Sequence, residues 1–179
     1  MNLSGSKTEK NLMDAFSGES QARNKYTFFA SQAKKEGYNQ IAAIFQETAD
    51  NEKEHAKLWF KALHDNSVPL TTTNLLDSAN GEHYEWSEMY KKFAQEAKEE
   101  GFYQIATLFE KVGEIEREHQ QRYLKLLNNI ETNQVFSKNA PVTWICTNCG
   151  HVLEGTDAPQ KCPVCSHPIS YFKVKCDDF

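Results

Sequence analysis

ETADNEKEHA (residues 47–56) and GEIEREHQ (residues 113–120) decide how this chain is read. Each holds a glutamate and a histidine three positions apart, Glu52 with His55 and Glu116 with His119. On a helix that spacing separates two side chains by about 60° of arc and about 4.5 Å of rise, so both can reach one ion. Outward from these motifs, residues 22–63 and 86–127 match each other at an offset of 64. YTFFASQAKKEGYNQIAAIF (26–45) parallels YKKFAQEAKEEGFYQIATLF (90–109). Each half reads as a helix, a glycine stop and a second helix, with Gly37 and Gly101 at the left-handed position after the first helix. Ser6 to Glu9 fits a capping box. The predicted helices are 7–36, 39–64, 80–100 and 103–130.

Between the halves, HDNSVPLTTTNLLDSA (64–79) carries Pro69 and no helical period. A helix of about 24 residues is about 36 Å long, and about 14 extended residues span over 40 Å. Such a link can return the chain along a whole bundle, the single long crossover of ferritin-like folds. The expected fold is therefore mainly α, a ferritin-like four-helix bundle over residues 1–134. A small β-rich, metal-sized domain over 135–179 follows, where turn residues and short β-prone runs replace the helical pattern.

Apolar stripes show where the acids point. Leu12, Ala15, Ala22, Tyr26 and Phe29 share a face with Glu19; Ile41, Phe45 and Trp59 share one with Glu52 and His55. Trp86, Met89 and Phe93 accompany Glu82 and Glu85, and Ile105, Phe109 and Tyr123 accompany Glu116 and His119. Glu54 and Glu118 fall about 200° around and read as solvated. Five carboxylates on core-facing stripes cost several kcal/mol apiece unless something positive sits among them, and no lysine or arginine does. A pair of metal ions supplies that charge, in the arrangement of one Glu from each of two helices and Glu-x-x-His from each of the other two. Glu85 is a seventh possible ligand or a rim carboxylate. Tyr26 and Tyr90 are either core aromatics or hydrogen-bond partners of the ligand carboxylates. Glu19 precedes Tyr26 by seven residues but Glu82 precedes Tyr90 by eight, so the third helix is expected to absorb one residue as a π-bulge near Glu85.

All five cysteines lie in the last 34 residues. Cys146-x-x-Cys149 and Cys162-x-x-Cys165 form two knuckles suited to a tetrahedral ion, zinc or a single iron. Cys176 is unpaired. The formal charge of −5 gives no footprint for nucleic acid. No apolar run approaches a membrane span and the N-terminus is too polar for a secretory signal, so a cytoplasmic protein is expected.

Together, AFSGESQARNKY with Glu19, ETADNEKEHA, GEHYEWSEMY with Glu82 and Glu85, EIEREH and the WICTNCG…CPVC tail resemble the rubrerythrin family over essentially the whole chain. The resemblance implies a non-haem di-iron centre with Glu52 and Glu116 bridging, Glu19 terminal on one iron, and Glu82 and His119 on the other. It implies that Glu85 and His55 exchange at the first iron as its oxidation state changes. It implies a rubredoxin-like iron held by four cysteines, hence three irons per chain, with zinc substitution possible. The implied activity is reduction of hydrogen peroxide to water in oxidative-stress defence. Electrons would come from a donor such as rubredoxin or an NAD(P)H-dependent reductase, and the chain would form a homodimer or higher oligomer. A ferritin-like ferroxidase is the rival enzyme, and zinc in every site the non-enzymatic one.

Overall fold

The computed structural model describes residues 3–176. Helix α1 runs Lys7–Lys35, α2 Asn39–Leu63, α3 Thr71–Tyr84, α4 Tyr90–Glu99 and α5 Tyr103–Glu131. A single π-helical turn, Glu85–Met89, joins α3 to α4. Strands β1 (Ser137–Cys146), β2 (Val152–Asp157) and β3 (Phe172–Val174) complete the chain. By internal contacts it divides after Pro69 into two compact units.

In the first unit α1 and α2 form a hairpin. Ser6 caps α1, its hydroxyl accepting from Glu9 N at 3.0 Å, while the Glu9 carboxylate reaches back to Gly5 N at 2.6 Å. The predicted box is present, with its return bond shifted one residue outward. At the other end Tyr38 N donates to Ala33 O at 2.9 Å and Gly37 N to Lys34 O at 3.2 Å. That pairing demands the left-handed backbone that Gly37 adopts at φ 87°. Phe102, Ala97, Gly101 and Lys98 repeat it between α4 and α5, with Gly101 at φ 85°.

The second unit holds α3, the π-turn, α4, α5 and the β domain. Its third helix starts at Thr71, not near 80, which leaves a link of only residues 64–70. Leu70 is an extended cap after Pro69, and Asn74 N donates to Leu70 O at 2.9 Å. The threonine run lacks an apolar period, yet α3 packs on α5, with Ala79 buried, Leu75 half-buried and Leu76 exposed. Tertiary packing overrides weak propensity there.

The π-turn is where the one-residue excess between Glu82 and Tyr90 pointed: Tyr90 N donates back to Glu85 O. A residue is absorbed without breaking the helix, so Glu82 stays in register with α5. Close passage is permitted at Gly113, where a Cβ would lie 3.3 Å from Tyr90 Cβ.

The sheet has the order β2-β1-β3, all antiparallel. Trp144 pairs with Leu153 on one side and Val174 on the other. Its indole is fully buried and donates to Gly155 O at 3.1 Å. Cys146, Ala158, Cys162 and Phe172 complete this small core. Among the described residues no helix is long and apolar enough to cross a membrane.

Candidate metal centres

In the first unit α1 and α2 bring Glu19, Glu52 and His55 together, with one ligand atom of each within 4.8 Å of the others. His55 Nδ1 lies 2.8 Å from Glu52 Oε2 and 3.9 Å from Glu19 Oε1. The second unit repeats the motif with Glu82, Glu116 and His119. There His119 Nδ1 lies 2.6 Å from Glu116 Oε2 and 3.7 Å from Glu82 Oε1. In both triads the i, i+3 pair comes from one helix and the third carboxylate from its neighbour, which is the geometry the sequence spacing required. Two carboxylates and an imidazole converging on one point are a fitting donor set for a divalent transition metal. Each glutamate is half-buried, so without an ion the carboxylates face one another at a cost.

That cost is visible at Glu82. Burial raises its carboxyl above the usual range, a hydrogen bond with Glu116 and that residue's charge raise it further, and His119 opposes. Burial also raises the Tyr90 phenol, followed by the charges of Glu85, Glu116 and Glu82. Tyr90 thus holds its proton beside three acids. Glu85 stands on the π-turn outside the triad, near enough for its charge to act on both groups. Tyr26 packs against Phe29 and Phe45, each at 6.2 Å between ring centroids.

In the β domain Cys146, Cys149, Cys162 and Cys165 form the third cluster. Sγ of Cys146 and Cys165 are 3.7 Å apart, as are those of Cys149 and Cys162. Four sulfurs at about 2.3 Å from a tetrahedral centre are separated by about 3.8 Å, so the cage fits such an ion. The two knuckles are copies of one another. Gly150 N donates to Cys146 O and Ser166 N to Cys162 O, while Cys146 N and Cys162 N donate to His151 O and His167 O. Both Gly150 and Ser166 are left-handed, at φ 76° and 62°. The His167 amide holds Cys165 down to about 5, against burial and with help from the other thiols. The His151 amide pulls Cys149 the same way, but burial and hydrogen bonds from Cys165, Cys162 and Cys146 win and push it up to about 12. Protons are shared unequally in a cage whose four thiolates an ion would stabilise. Cys176 lies outside it and is exposed.

The rubrerythrin family model matches residues 10–127, and its rubredoxin-like domain model matches residues 144–173. The chain belongs to the rubrerythrin family. It is 48% identical to a rubrerythrin of Porphyromonas gingivalis, over 96% of this chain and 91% of that one. It is 46% identical to rubrerythrin-1 of Clostridium acetobutylicum, over 99% and 98%. With a rubrerythrin of Nitratidesulfovibrio vulgaris it shares 46%, over 96% of each. The fold expected from sequence, a ferritin-like helical module with a small rubredoxin-like domain, holds for this rubrerythrin.

One contact near the triad was not anticipated. Trp86 Nε1 donates to Gln120 Oε1 at 2.7 Å, tying the π-turn to α5 beside His119. The repeat contained the signal: in the first half, Ala22 and Ala56 stand where this half has Trp86 and Gln120. His83 meets the Trp86 ring edge-on at 5.3 Å, which places it beside the indole.

The raised Glu82 carboxyl sets a pH dependence. Folded, this group binds protons at pH values where the unfolded chain has released them, so its contribution to stability is complete below the ordinary carboxylate range. It is lost as pH rises through the folded-state value. Glu82→Gln is therefore expected to flatten the fall in melting temperature of the metal-free rubrerythrin as pH rises above the ordinary carboxylate range. An unaltered slope in that variant would show that Glu82 shares no proton with Glu116.

Proposed function

We propose that this chain is a peroxidase that reduces hydrogen peroxide to water at a pair of irons, one held by each helical triad. Electrons arrive from an external donor, a rubredoxin or an NAD(P)H-dependent reductase, through a third iron held by the four cysteines. The observation that carries this reading is the presence in one chain of two matched Glu-Glu-His triads and a four-thiolate cage. Two ferrous ions together supply the two electrons that cleavage of the peroxide O–O bond takes, and a tetrathiolate iron passes electrons singly.

The protein's own groups do the rest. Glu19, Glu52 and His55 would hold one ion, and Glu82, Glu116 and His119 the other. Glu85, carried on the π-turn, offers a further carboxylate that would serve, with His55, as an alternative ligand to the first ion. Tyr90 keeps a proton on its phenol beside Glu82, Glu85 and Glu116. Together with Tyr26 and the ligand carboxylates it can deliver protons to the departing oxygens. The helical module, residues 1–134, thus performs the chemistry and residues 135–179 relay electrons. The reading suits oxidative-stress defence in the cytoplasm, where thiolates stay reduced. A ferroxidase role uses the same helices but leaves the cysteine cage without a task.

Anaerobically reduced, iron-loaded protein mixed with one equivalent of hydrogen peroxide tests this. Reoxidation of the helical irons within the mixing time, without a growing ferric mineral, is expected. Mineral deposition outpacing peroxide consumption would establish the ferroxidase instead.

A further inference from the structure

We propose that Trp86 and Gln120 are positioning residues: the bond between them fixes the π-turn on α5 and so sets where the Glu85 carboxylate stands beside the second triad. Its effect on rate rests on the peroxidase reading, while its mechanics lie within the second unit alone.

A lone π-turn persists only where its surroundings hold it, because a regular α-helix of the same residues competes. Here the defining bond runs from Tyr90 N to Glu85 O. In α geometry that amide would pair with Trp86 O instead. Such a shift of one residue would turn everything before it by about 100° relative to everything after it. Glu82 or Tyr90 would then leave its place against α5.

Two residues of α5 grip the turn, one on each side of a ligand candidate. Gly113, Glu116 and Gln120 follow steps of three and four and share a stripe. At Gly113 the turn comes close, since a Cβ there would lie 3.3 Å from Tyr90 Cβ and 4.0 Å from Trp86 Cα. Gln120 accepts from the Trp86 indole at 2.7 Å. These two holds are about 10.5 Å apart along α5, with Glu116 between them. Trp86 and Gln120 are both half-buried, which partly shelters their bond from competing water. The indole is also held from two other sides. His83 meets its edge at 5.3 Å, and Lys91 Nζ stands 5.3 Å from its ring centroid. Lys91 is five residues on, about 140° around in a regular α-helix, and it reaches the ring because the turn absorbs one residue.

The repeat supplies an internal comparison. At the offset of 64, Ala22, Ala49 and Ala56 stand where the second half has Trp86, Gly113 and Gln120. In the first half α1 is continuous α-helix from Lys7 to Lys35, and Glu19 is seven residues from Tyr26. That half has neither the indole nor its acceptor, and Ala49 fills with a buried Cβ the position that Gly113 leaves open. Clamp and extra residue occur together in one half and are both missing from the other. That is the association expected if the first holds the second in place.

What the turn carries is Glu85. It is half-buried, precedes Trp86 in the chain, and its charge reaches Glu82 and Tyr90. Releasing the clamp frees Glu85 before any member of the triad, since Glu82 belongs to α3, and Glu116 and His119 to α5. The clamp therefore acts on rate through the position of one carboxylate.

Hydrogen exchange tests the mechanics. In full-length protein loaded with zinc, which is diamagnetic, the Tyr90 amide is followed by NMR. Gln120→Met and Trp86→Phe each keep bulk but break the bond, and each is expected to speed exchange at Tyr90 about tenfold. Combined, they should do no more than either alone. Gln120→Glu keeps an acceptor and should leave exchange as slow as in wild type. The Tyr26 amide, the counterpart in the first half, should not change. Unaltered exchange at Tyr90 in both single variants, or equal acceleration at Tyr26, would overturn the clamp. Turnover tests the consequence. In iron-loaded protein Gln120→Met is expected to lower kcat for hydrogen peroxide about tenfold with KM within about twofold, and to add nothing once Glu85→Gln is present. Faster exchange with unaltered kcat would reduce the pair to a structural contact and refute the positioning role. A wild type without peroxide turnover would end the peroxidase reading instead. The position of Glu85 is then judged from crystals of zinc-loaded Gln120→Met, in which a displaced carboxylate is expected and one standing as in wild type would refute the proposal.

Discussion

Glu116→Ala is expected to abolish peroxide turnover, lowering it by more than about 100-fold, while Glu118→Ala leaves it within about twofold. The two positions lie on one helix two residues apart, so composition and helix propensity cannot separate them. What separates them is direction. Glu116 points at His119, 2.6 Å from its Nδ1, and its hydrogen bond and charge help to raise the Glu82 carboxyl. Glu118 is exposed, with the Arg117 guanidinium at 3.8 Å. Removing Glu116 takes one of three donors from the second triad and leaves Glu82 and His119 without the group that orients them. Loss of an orienting neighbour alone costs about 10–100-fold in metal affinity or activity, and loss of the donor itself costs more. Iron content of the purified variant, measured with turnover, checks the cause: loss of helical iron should parallel loss of rate. Full iron occupancy with full activity in Glu116→Ala would end the assignment of this triad.

The second large effect is expected from Cys162→Ser. Cys162 is almost completely buried in the small core, 3.7 Å from Cys149 Sγ. A hydroxyl there loses a thiolate from the cage and puts an unpaired polar group against Trp144 and Phe172. Structural tetrathiolate ions contribute about 10–16 kcal/mol to small domains, so the β domain should lose both its ion and its fold. Turnover driven by a reduced protein donor should disappear. The helical triads lie in other secondary elements, so chemically reduced protein should still react with one equivalent of peroxide. Stopped-flow traces with a donor protein and with dithionite separate the two outcomes. Donor-driven turnover that persists in Cys162→Ser would remove the cysteine cage from the electron path.

Much of this was legible in the residues. The Glu-x-x-His spacing, the offset of 64 and the single extra residue before Tyr90 are facts about helical phase, and phase is a local property. Hence the two triads, the glycine stops at Gly37 and Gly101, and the π-turn at Glu85 could all be anticipated. The knuckles were legible because four thiols at CxxC spacing have few other uses. The start of α3 was not. Thr71, Thr72 and Thr73 disfavour helix on their own, and the apolar face that stabilises them is supplied by α5. The bond from Trp86 to Gln120 was hidden for the same reason, since 34 residues separate the partners.

By itself the order of residues determined which side chains share a face and which ligands fall within one helical turn, because those depend only on the rise and twist of the backbone. The tertiary structure alone decided where the link ends. Extending α3 back to Thr71 depends on packing against a distant helix, and that extension shortens the link to seven residues.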